Sequence, residues 1–169
     1  MDDFDETLPA SADLEILVHG ARKGHKTQLR LWLRMLSITK SISQEIRRRL
    51  RVEFDMTLPQ FDILAQLYRE PDGLRLGELS RRTMVTNGNV TGLVDRLEAD
   101  GLVERTNLDD DRRVTVAKLT KRGRDWFAEL ARTHEGWVKD LMSEVDEPTL
   151  DRALDSLSVV KASAKRRTT

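Results

Sequence analysis

The stretch from Thr27 to Phe54, which contains neither glycine nor proline, places the strongest constraint on the fold. It predicts a single helix ~42 Å long from the usual rise per residue. The apolar residues of its N-terminal half occupy two neighbouring arcs, one with Leu29, Trp32, Leu33 and Leu36 and the other with Leu31, Met35, Ile38 and Ile42. An ordinary surface helix needs an apolar stripe only about 100° wide. The apolar surface of this helix is wider than that, which predicts that something besides the helix's own domain covers part of it.

The chain has no net charge, but its charges are unevenly distributed. Residues 1–15 carry six acidic and no basic side chains, whereas residues 16–54 carry ten basic and two acidic ones. Residues 75–124 are also basic, with eleven basic and eight acidic side chains. This asymmetry is compatible with nucleic-acid binding, although charge runs are more often solvated faces. The acidic residues 1–15 predict a flexible arm.

Several classes of protein are disfavoured by what the sequence lacks. There is no cysteine, which excludes disulfides, thiolate zinc sites and cysteine redox sensing. No segment approaches the ~20 apolar residues of a membrane span, and the N-terminus has no signal pattern, so we expect a cytoplasmic protein that spans no membrane. The histidines have no metal-ligand spacing, and no nucleotide loop, nucleophile elbow or catalytic triad pattern is present. We therefore expect neither an enzyme nor a bound metal or cofactor.

The periodicity of apolar residues predicts mostly helices and one hairpin. Besides the long helix, the predicted helices cover about 12–21, 57–70, 77–84, 87–99, 120–145 and 148 onward, and the extended segments cover 74–76, 102–106 and 114–119. Thr57 and Pro59 suit the first turn of their helix, whose predicted buried stripe is Phe61, Leu64, Ala65 and Tyr68. This order is that of a winged helix-turn-helix with flanking helices, a mainly α fold of the α+β class.

The two short helices before the hairpin can place the second helix in the major groove of DNA. This helix is predicted to bury Val90, Leu93, Val94 and Leu97, and to turn outward Gly88, Asn89, Thr91, Gly92, Asp95 and Arg96. Asparagine can pair with adenine, the threonine methyl can contact thymine, and arginine can reach phosphate or guanine. An ordinary amphipathic helix is the alternative, but two outward glycines would destabilise it by roughly 1 kcal/mol each. They favour an interface.

The tip of the hairpin carries Asp111, Arg112 and Arg113. Arginines at a narrow tip fit the minor groove, whose negative potential attracts them. The alternative is a solvated hairpin whose arginines pair locally with Asp109, Asp110 and Asp111.

Several segments together resemble the MarR family of regulators. These are GELS at 77–80, NVTGLVDRLE at 89–98, GLVER at 101–105, DRR at 111–113 and LTKRG at 119–123. The resemblance implies a two-fold homodimer on a pseudo-palindromic duplex DNA operator, with repression relieved by a small, often aromatic, ligand. It places Asn89 and Arg96 on the recognition helix and Arg113 in the wing, oriented by Asp111. The full set of candidate DNA-binding residues is Arg81, Thr86, Asn87, Asn89, Thr91, Arg96, Asp111, Arg112 and Arg113.

The resemblance also divides the chain by role. We expect an acidic arm over 1–15, N-terminal helices for dimerisation and a ligand pocket over 16–54, a DNA-binding lobe over 55–124, and C-terminal dimerisation helices over 125–169. The apolar residues expected at the partner subunit are Leu141, Val145, Leu150, Leu154, Leu157 and Val160. A protein–protein adaptor built on the same winged fold is the alternative, because fold does not fix function.

A ligand pocket is predicted beside the long helix. Its candidate residues are Arg30, Trp32, Leu33, Arg34, Leu36, Phe61, Leu64 and Trp126. The segments VTNGNVT at 85–91 and LWLRML at 31–36 are similar to regulators of aromatic-acid degradation that respond to hydroxycinnamoyl-CoA thioesters. An aromatic acid or its CoA thioester is therefore the expected effector. Plain core and dimer packing is the alternative for each apolar residue, and the basic residues between 22 and 34 could equally contact DNA phosphates or the acidic arm.

Overall fold

The computed structural model describes residues 27–83, 87–108 and 111–166, with the backbone alone for residues 87, 107–108 and 111–114. The helices are α1 (Thr27–Phe54), α2 (Leu58–Arg69), α3 (Leu76–Thr83), α4 (Asn87–Ala99), α5 (Lys121–Leu141) and α6 (Glu147–Lys165), and the strands are β1 (Leu74–Arg75), β2 (Val103–Leu108) and β3 (Asp111–Leu119). The predicted arm at 1–15 and helix at 12–21 lie outside the described residues. The chain forms two compact units that divide between Glu129 and Leu130, within α5.

The long helix α1 is continuous from Thr27, the first described residue, and ends at Phe54 as predicted, because no residue between them interrupts its hydrogen bonding. Only Ile46 and Leu50, in its C-terminal half, are buried. In its N-terminal half Leu29, Leu31 and Trp32 are exposed, with 53% of the Trp32 surface open to solvent. Of the eight residues in the two apolar arcs, four are thus exposed once Ile38 is included, and the other four are half-buried.

Helix α2 begins as its sequence predicts and buries part of the predicted stripe. The side-chain oxygen of Gln60 accepts hydrogen bonds from the Thr57 backbone N–H (2.9 Å) and hydroxyl (2.7 Å). The most fully buried side chains are Ile63, Leu64 and Leu67, whereas Tyr68 is exposed. The predicted stripe is confirmed at Phe61 and Leu64 and wrong at Tyr68, because α3, α4 and β3 pack on α2 towards the side of Ile63 and Leu67.

The three strands form an antiparallel sheet in the order β1-β3-β2. Leu74 pairs with Ala117, and Val103 pairs with Leu119. Both hairpin strands are longer than predicted, because the ladder continues through Asn107↔Thr115 and resumes at Leu108↔Asp111 after a register shift. The predicted polar turn at 107–111 is correspondingly shorter.

The end of α4 and the start of α5 are joined by a tight backbone contact. Gly101, with φ of +69°, ends α4. The Thr120 hydroxyl donates to the Gly101 carbonyl (2.8 Å) and accepts from the Gly123 N–H (2.9 Å), as a helix cap does. A Cβ on Gly123 would lie 1.9 Å from the Leu102 carbonyl oxygen, so only glycine fits at this crossing.

The C-terminal helix α6 is the most exposed element of its unit. The Asp146 side chain caps it by accepting from the Thr149 N–H (3.0 Å), and α5 ends four residues before the predicted position at 145, at Leu141. None of the side chains in α6 is buried, and Leu154 and Val159 are 63% and 70% exposed. Among the described residues, no helix combines the length and apolar character needed to cross a membrane.

Candidate nucleic-acid interface

Helix α4 has the two faces that its sequence predicts. Val90, Val94 and Leu97 are completely buried, and Leu93 is partly buried. The outward residues are all exposed: Gly88, Asn89, Thr91, Gly92, Asp95 and Arg96. The division of this helix into a packed face and a polar face is thus confirmed. Asn87 is the first described residue of the helix, but its side chain lies outside the described part, as does the whole of Thr86.

The outward glycines of α4 are not required by the packing of the lobe. A Cβ added at Gly88 or Gly92 would have no heavy atom within 4 Å outside its own helix turn. Alanine would therefore fit at both positions and would favour the helix by up to about 1 kcal/mol. Something other than the internal packing of this unit must account for glycine on this face.

Arg105, which sequence reasoning did not single out, joins α4 to the hairpin. From β2 its Nη1 donates to the Asp95 carboxylate (2.6 Å) and its Nε donates to Glu98 (2.8 Å). The pKa of Glu98 is lowered by the hydrogen bond from Arg105. The outward carboxylate of Asp95 thus has an intramolecular partner, and the bridge fixes the recognition helix relative to the wing strands.

Helix α3 carries a second ion network around Glu78. Arg81 donates through Nε to Glu78 (3.1 Å), and Arg82 donates both to Glu78 (2.8 Å) and to Glu70, the C-cap residue of α2 (2.7 Å). The pKa of Glu78 is lowered by these hydrogen bonds, chiefly the one from Arg81. The candidate Arg81 remains 75% exposed and can exchange this surface partner for another anion.

A cleft of about 600 Å³ lies beside the outward face of α4. The C-terminal end of α1, the start of α2 and the recognition helix line it. Its lining residues are Arg47, Arg51, Thr57, Leu58, Pro59, Gly88, Asn89, Gly92, Leu93 and Arg96. Sequence reasoning found Asn89 and Arg96 but missed Arg47 and Arg51. Their i, i+4 spacing, which puts both on one helix face, was the available signal.

The side chains of the hairpin candidates Asp111, Arg112 and Arg113 lie outside the described part of the chain. Their backbone forms the first residues of β3, after the register shift at Leu108. The hairpin itself is thus confirmed, and the role of its arginines stays a prediction.

The candidate ligand residues fall in different environments. Trp32 and Arg34 are exposed on α1, while Arg30, Leu33 and Leu36 are half-buried. Phe61 packs against Phe127 (5.5 Å between ring centroids), and Leu64 is completely buried. Leu64 has no surface with which to contact a ligand here, because the buried arc of α2 centres on Ile63, Leu64 and Leu67. Trp126 lies edge-to-face with Phe54 (5.9 Å).

Comparison with known proteins identifies the family to which this fold belongs. Residues 54–114 match the MarR family. The structure of a MarR family transcriptional regulator from Silicibacter pomeroyi is 34% identical, with a TM-score of 0.71 over 85% of this chain and 99% of that one. The chain belongs to the MarR family of transcriptional regulators.

Two further proteins are similar to this chain, one in sequence and one in fold. The uncharacterized HTH-type transcriptional regulator YfiV of Bacillus subtilis (strain 168) is 29% identical over 120 residues, 68% of this chain and 73% of that one. Sco3205, a MarR family regulator from Streptomyces coelicolor solved in complex with DNA, is 21% identical, with a TM-score of 0.70 over 85% of this chain and 91% of that one. The second likeness concerns the fold alone. In the terms used for the MarR family, α3 and α4 form the helix-turn-helix, and the β2–β3 hairpin is the wing.

Gly92→Ala should change stability and DNA affinity in opposite directions. The free energy of unfolding should rise by about 0.5–1 kcal/mol, because alanine favours the helix and a Cβ meets nothing there. Affinity for duplex DNA should fall, because the methyl group separates α4 from the groove. Chemical denaturation and fluorescence anisotropy measure the two effects.

Gly136→Ala in α5 is the matched control, since a Cβ there also has no heavy atom within 4 Å. It should raise stability without changing DNA affinity. If Gly92→Ala binds DNA as tightly as the native chain does, close approach of DNA at this position is wrong.

Proposed function

We propose that this MarR-family chain acts in the cytoplasm as a homodimeric repressor that binds duplex DNA and is released by a small aromatic ligand. The outward face of α4 carries the proposal. It is polar and exposed, it keeps two glycines that packing does not require, and it borders a cleft with three arginines. Those properties suit a helix that lies against the floor and phosphates of a major groove.

Within this proposal the candidate residues divide between two kinds of contact. Asn89 and Thr91, together with Thr86 and Asn87 at the start of the helix, read base edges, whereas Arg96 reaches a phosphate or a guanine. Arg81 contacts the backbone, and Arg112 and Arg113, with Asp111 orienting Arg113, reach the minor groove from the wing. The fold neighbour Sco3205 was solved bound to DNA, which supports this use of the fold.

Dimerisation is proposed for the terminal helices outside the 55–124 lobe. Large apolar side chains near the C-terminus are exposed in the single chain: Leu141, Val145, Leu154, Leu157 and Val159. Covering such side chains stabilises a dimer by about 1.5–3 kcal/mol for each one fully buried. A two-fold dimer would then present two α4 helices to the half-sites of a pseudo-palindromic operator.

The proposed effector is an aromatic carboxylate or its CoA thioester, as for the hydroxycinnamoyl-CoA-responsive regulators. The exposed Trp32 on α1 offers an aromatic surface, and Arg30 and Arg34 lie two residues to either side of it. An effector acts only as far as it favours the dimer conformation that binds DNA poorly.

DNA binding is tested by selecting duplexes from a random library with the purified chain. We expect enrichment of a two-fold symmetric sequence with half-sites about one helical turn apart. Asn89→Ala should change the preferred base at one position of each half-site by roughly 1–3 kcal/mol. Arg113→Ala should weaken binding to all sequences and reduce the salt slope by about one per subunit. Failure to shift any duplex at low salt would favour the protein–protein adaptor.

Dimerisation is tested by removing residues 146–169, which should give a monomeric or unstable protein in sedimentation velocity. Leu154→Asp combined with Leu157→Asp is a milder variant that should also sediment as a monomer, because charge is costly in an apolar interface. Ser156→Asp is the control, since at about 100° per residue it lies on the other side of α6. A truncated chain that remains a stable dimer would contradict this assignment.

The effector is tested by calorimetry with free aromatic acids, their CoA thioesters and CoA alone. Binding of an ester should lower DNA affinity, and Trp32→Ala should weaken ester binding by about 10- to 100-fold, the value of burying one aromatic side chain. Ile38→Ala, which also removes an exposed apolar side chain from α1, should leave ester binding unchanged. No heat with any of the three ligands would mean that the apolar excess of α1 serves dimer packing alone.

A further inference from the structure

We propose that Arg47 and Arg51, at the C-terminal end of α1, form with Arg96 of α4 a clamp for the DNA backbone beside the recognition helix. The clamp rests on the proposed DNA-binding function and adds a contact from outside the helix-turn-helix and the wing. It binds phosphate oxygens, so it contributes affinity and register rather than base specificity.

The arginine run at 47–51 is sorted into two faces by helix geometry and by one glutamate. Glu45 accepts hydrogen bonds from Arg48 (2.7 Å) and Arg49 (2.8 Å), which lower the pKa of Glu45 to about 2. Arg47 and Arg51, four residues apart, instead line the cleft. The same charge run therefore contains two arginines with an intramolecular partner and two that face the recognition helix.

The cleft concentrates positive charge without an acidic lining residue. Every residue that lines it is basic or uncharged. Within the described part of the chain, neither the Arg51 nor the Arg96 guanidinium has a hydrogen-bonding or ion-pair partner. Arg47 is acted on by the half-buried Asp62 of α2, whose pKa is raised by burial while the charge of Arg47 works in the opposite direction. Three guanidinium groups around one open space repel each other unless an anion lies between them.

The position of the cleft identifies the anion as a DNA phosphate. Gly88, Asn89 and Gly92 are both lining residues of the cleft and outward residues of α4. A duplex that lies against these residues also covers the mouth of the cleft. The first turn of α2 lies there as well, and its helix dipole adds positive potential of the same sign. Arginine is well suited to this contact because its planar donors match phosphate oxygens.

The test compares two double variants that remove the same charge from the same helix. Arg47→Gln with Arg51→Gln should weaken binding to a labelled mixed-sequence 30-base-pair duplex by at least tenfold in low salt. It should also reduce the slope of log K against log salt by between one and two per protomer, since each lost phosphate contact lowers it by about 0.9. Arg48→Gln with Arg49→Gln is the matched control, and its slope should change by less than half as much.

Two further measurements distinguish the loss of phosphate contacts from a general effect of charge or of stability. Arg47→Lys with Arg51→Lys should retain most of the salt slope, and the thermal unfolding of the Arg47 and Arg51 variants should match that of the native chain, because both side chains are exposed. The control pair is compared well below its own unfolding midpoint, because Arg49 is only 19% exposed and loses its pairing with Glu45. Equal losses in the two glutamine pairs would replace the clamp by a general charge effect, and no loss in the first pair would overturn it.

Different experimental outcomes would contradict the clamp and the proposed DNA-binding function. If the native chain binds no duplex at any salt concentration, the DNA-binding proposal falls and the clamp with it. If the native chain binds and the first pair binds equally well, only the clamp is overturned. If benzoate binding is lost in the first pair while the salt slope is kept, the cleft holds a small carboxylate and the assignment to DNA is wrong.

Discussion

The burial of one stripe on α4 is the interaction on which the rest of the site depends. Val90, Val94 and Leu97 leave no surface exposed to solvent, and α4 contacts α2, α3 and β2 around them. Side chains three and four residues apart share a helix face, so packing this stripe fixes the rotation of the helix about its axis. That rotation turns Asn89, Gly92 and Arg96 outward together. Substituting a buried valine would therefore disturb both the core and the direction in which the recognition face points.

Ion pairs hold the elements around α4 in position, although they add little to the free energy of unfolding. Arg105 bridges β2 to Asp95 and Glu98, and Arg82 bridges α3 to Glu70 at the end of α2. Exposed pairs of this kind contribute only about 0–1 kcal/mol each. Their greater effect is geometric, because each restrains a helix that carries candidate DNA contacts, α4 or α3, against a neighbouring element.

The apolar side chains of α1 and α6 follow a different principle. In the lobe, the apolar side chains Ile63, Leu64 and Leu67 of α2 and Val90, Val94 and Leu97 of α4 are completely buried. In the N-terminal half of α1 and along α6, side chains such as Trp32, Leu154 and Val159 are more than half exposed. Contiguous exposed apolar surface is typical of interaction sites in soluble proteins. The same excess at both ends of the chain suits the dimeric assembly proposed above.

The sequence by itself determined where most helices and strands lie. It also determined which face of a helix is buried, where apolar residues recur with a clear helical period. The uninterrupted run of α1, the end of α4 and its polar face could all be predicted, because glycine, proline and apolar spacing act locally. The hairpin strands extended further than predicted, since strand length depends on pairing with a partner strand rather than on composition.

Only the tertiary structure decided which residues from distant segments lie together. Tyr68 has the spacing of a buried residue, yet it is exposed, because the elements that cover α2 lie on the side of Ile63 and Leu67. Arg47 and Arg51 are separated from Arg96 by more than forty residues, and the cleft they share exists only once α1, α2 and α4 have packed. Periodicity reports how one helix divides its own surface, whereas a site between helices depends on long-range packing that no local pattern encodes.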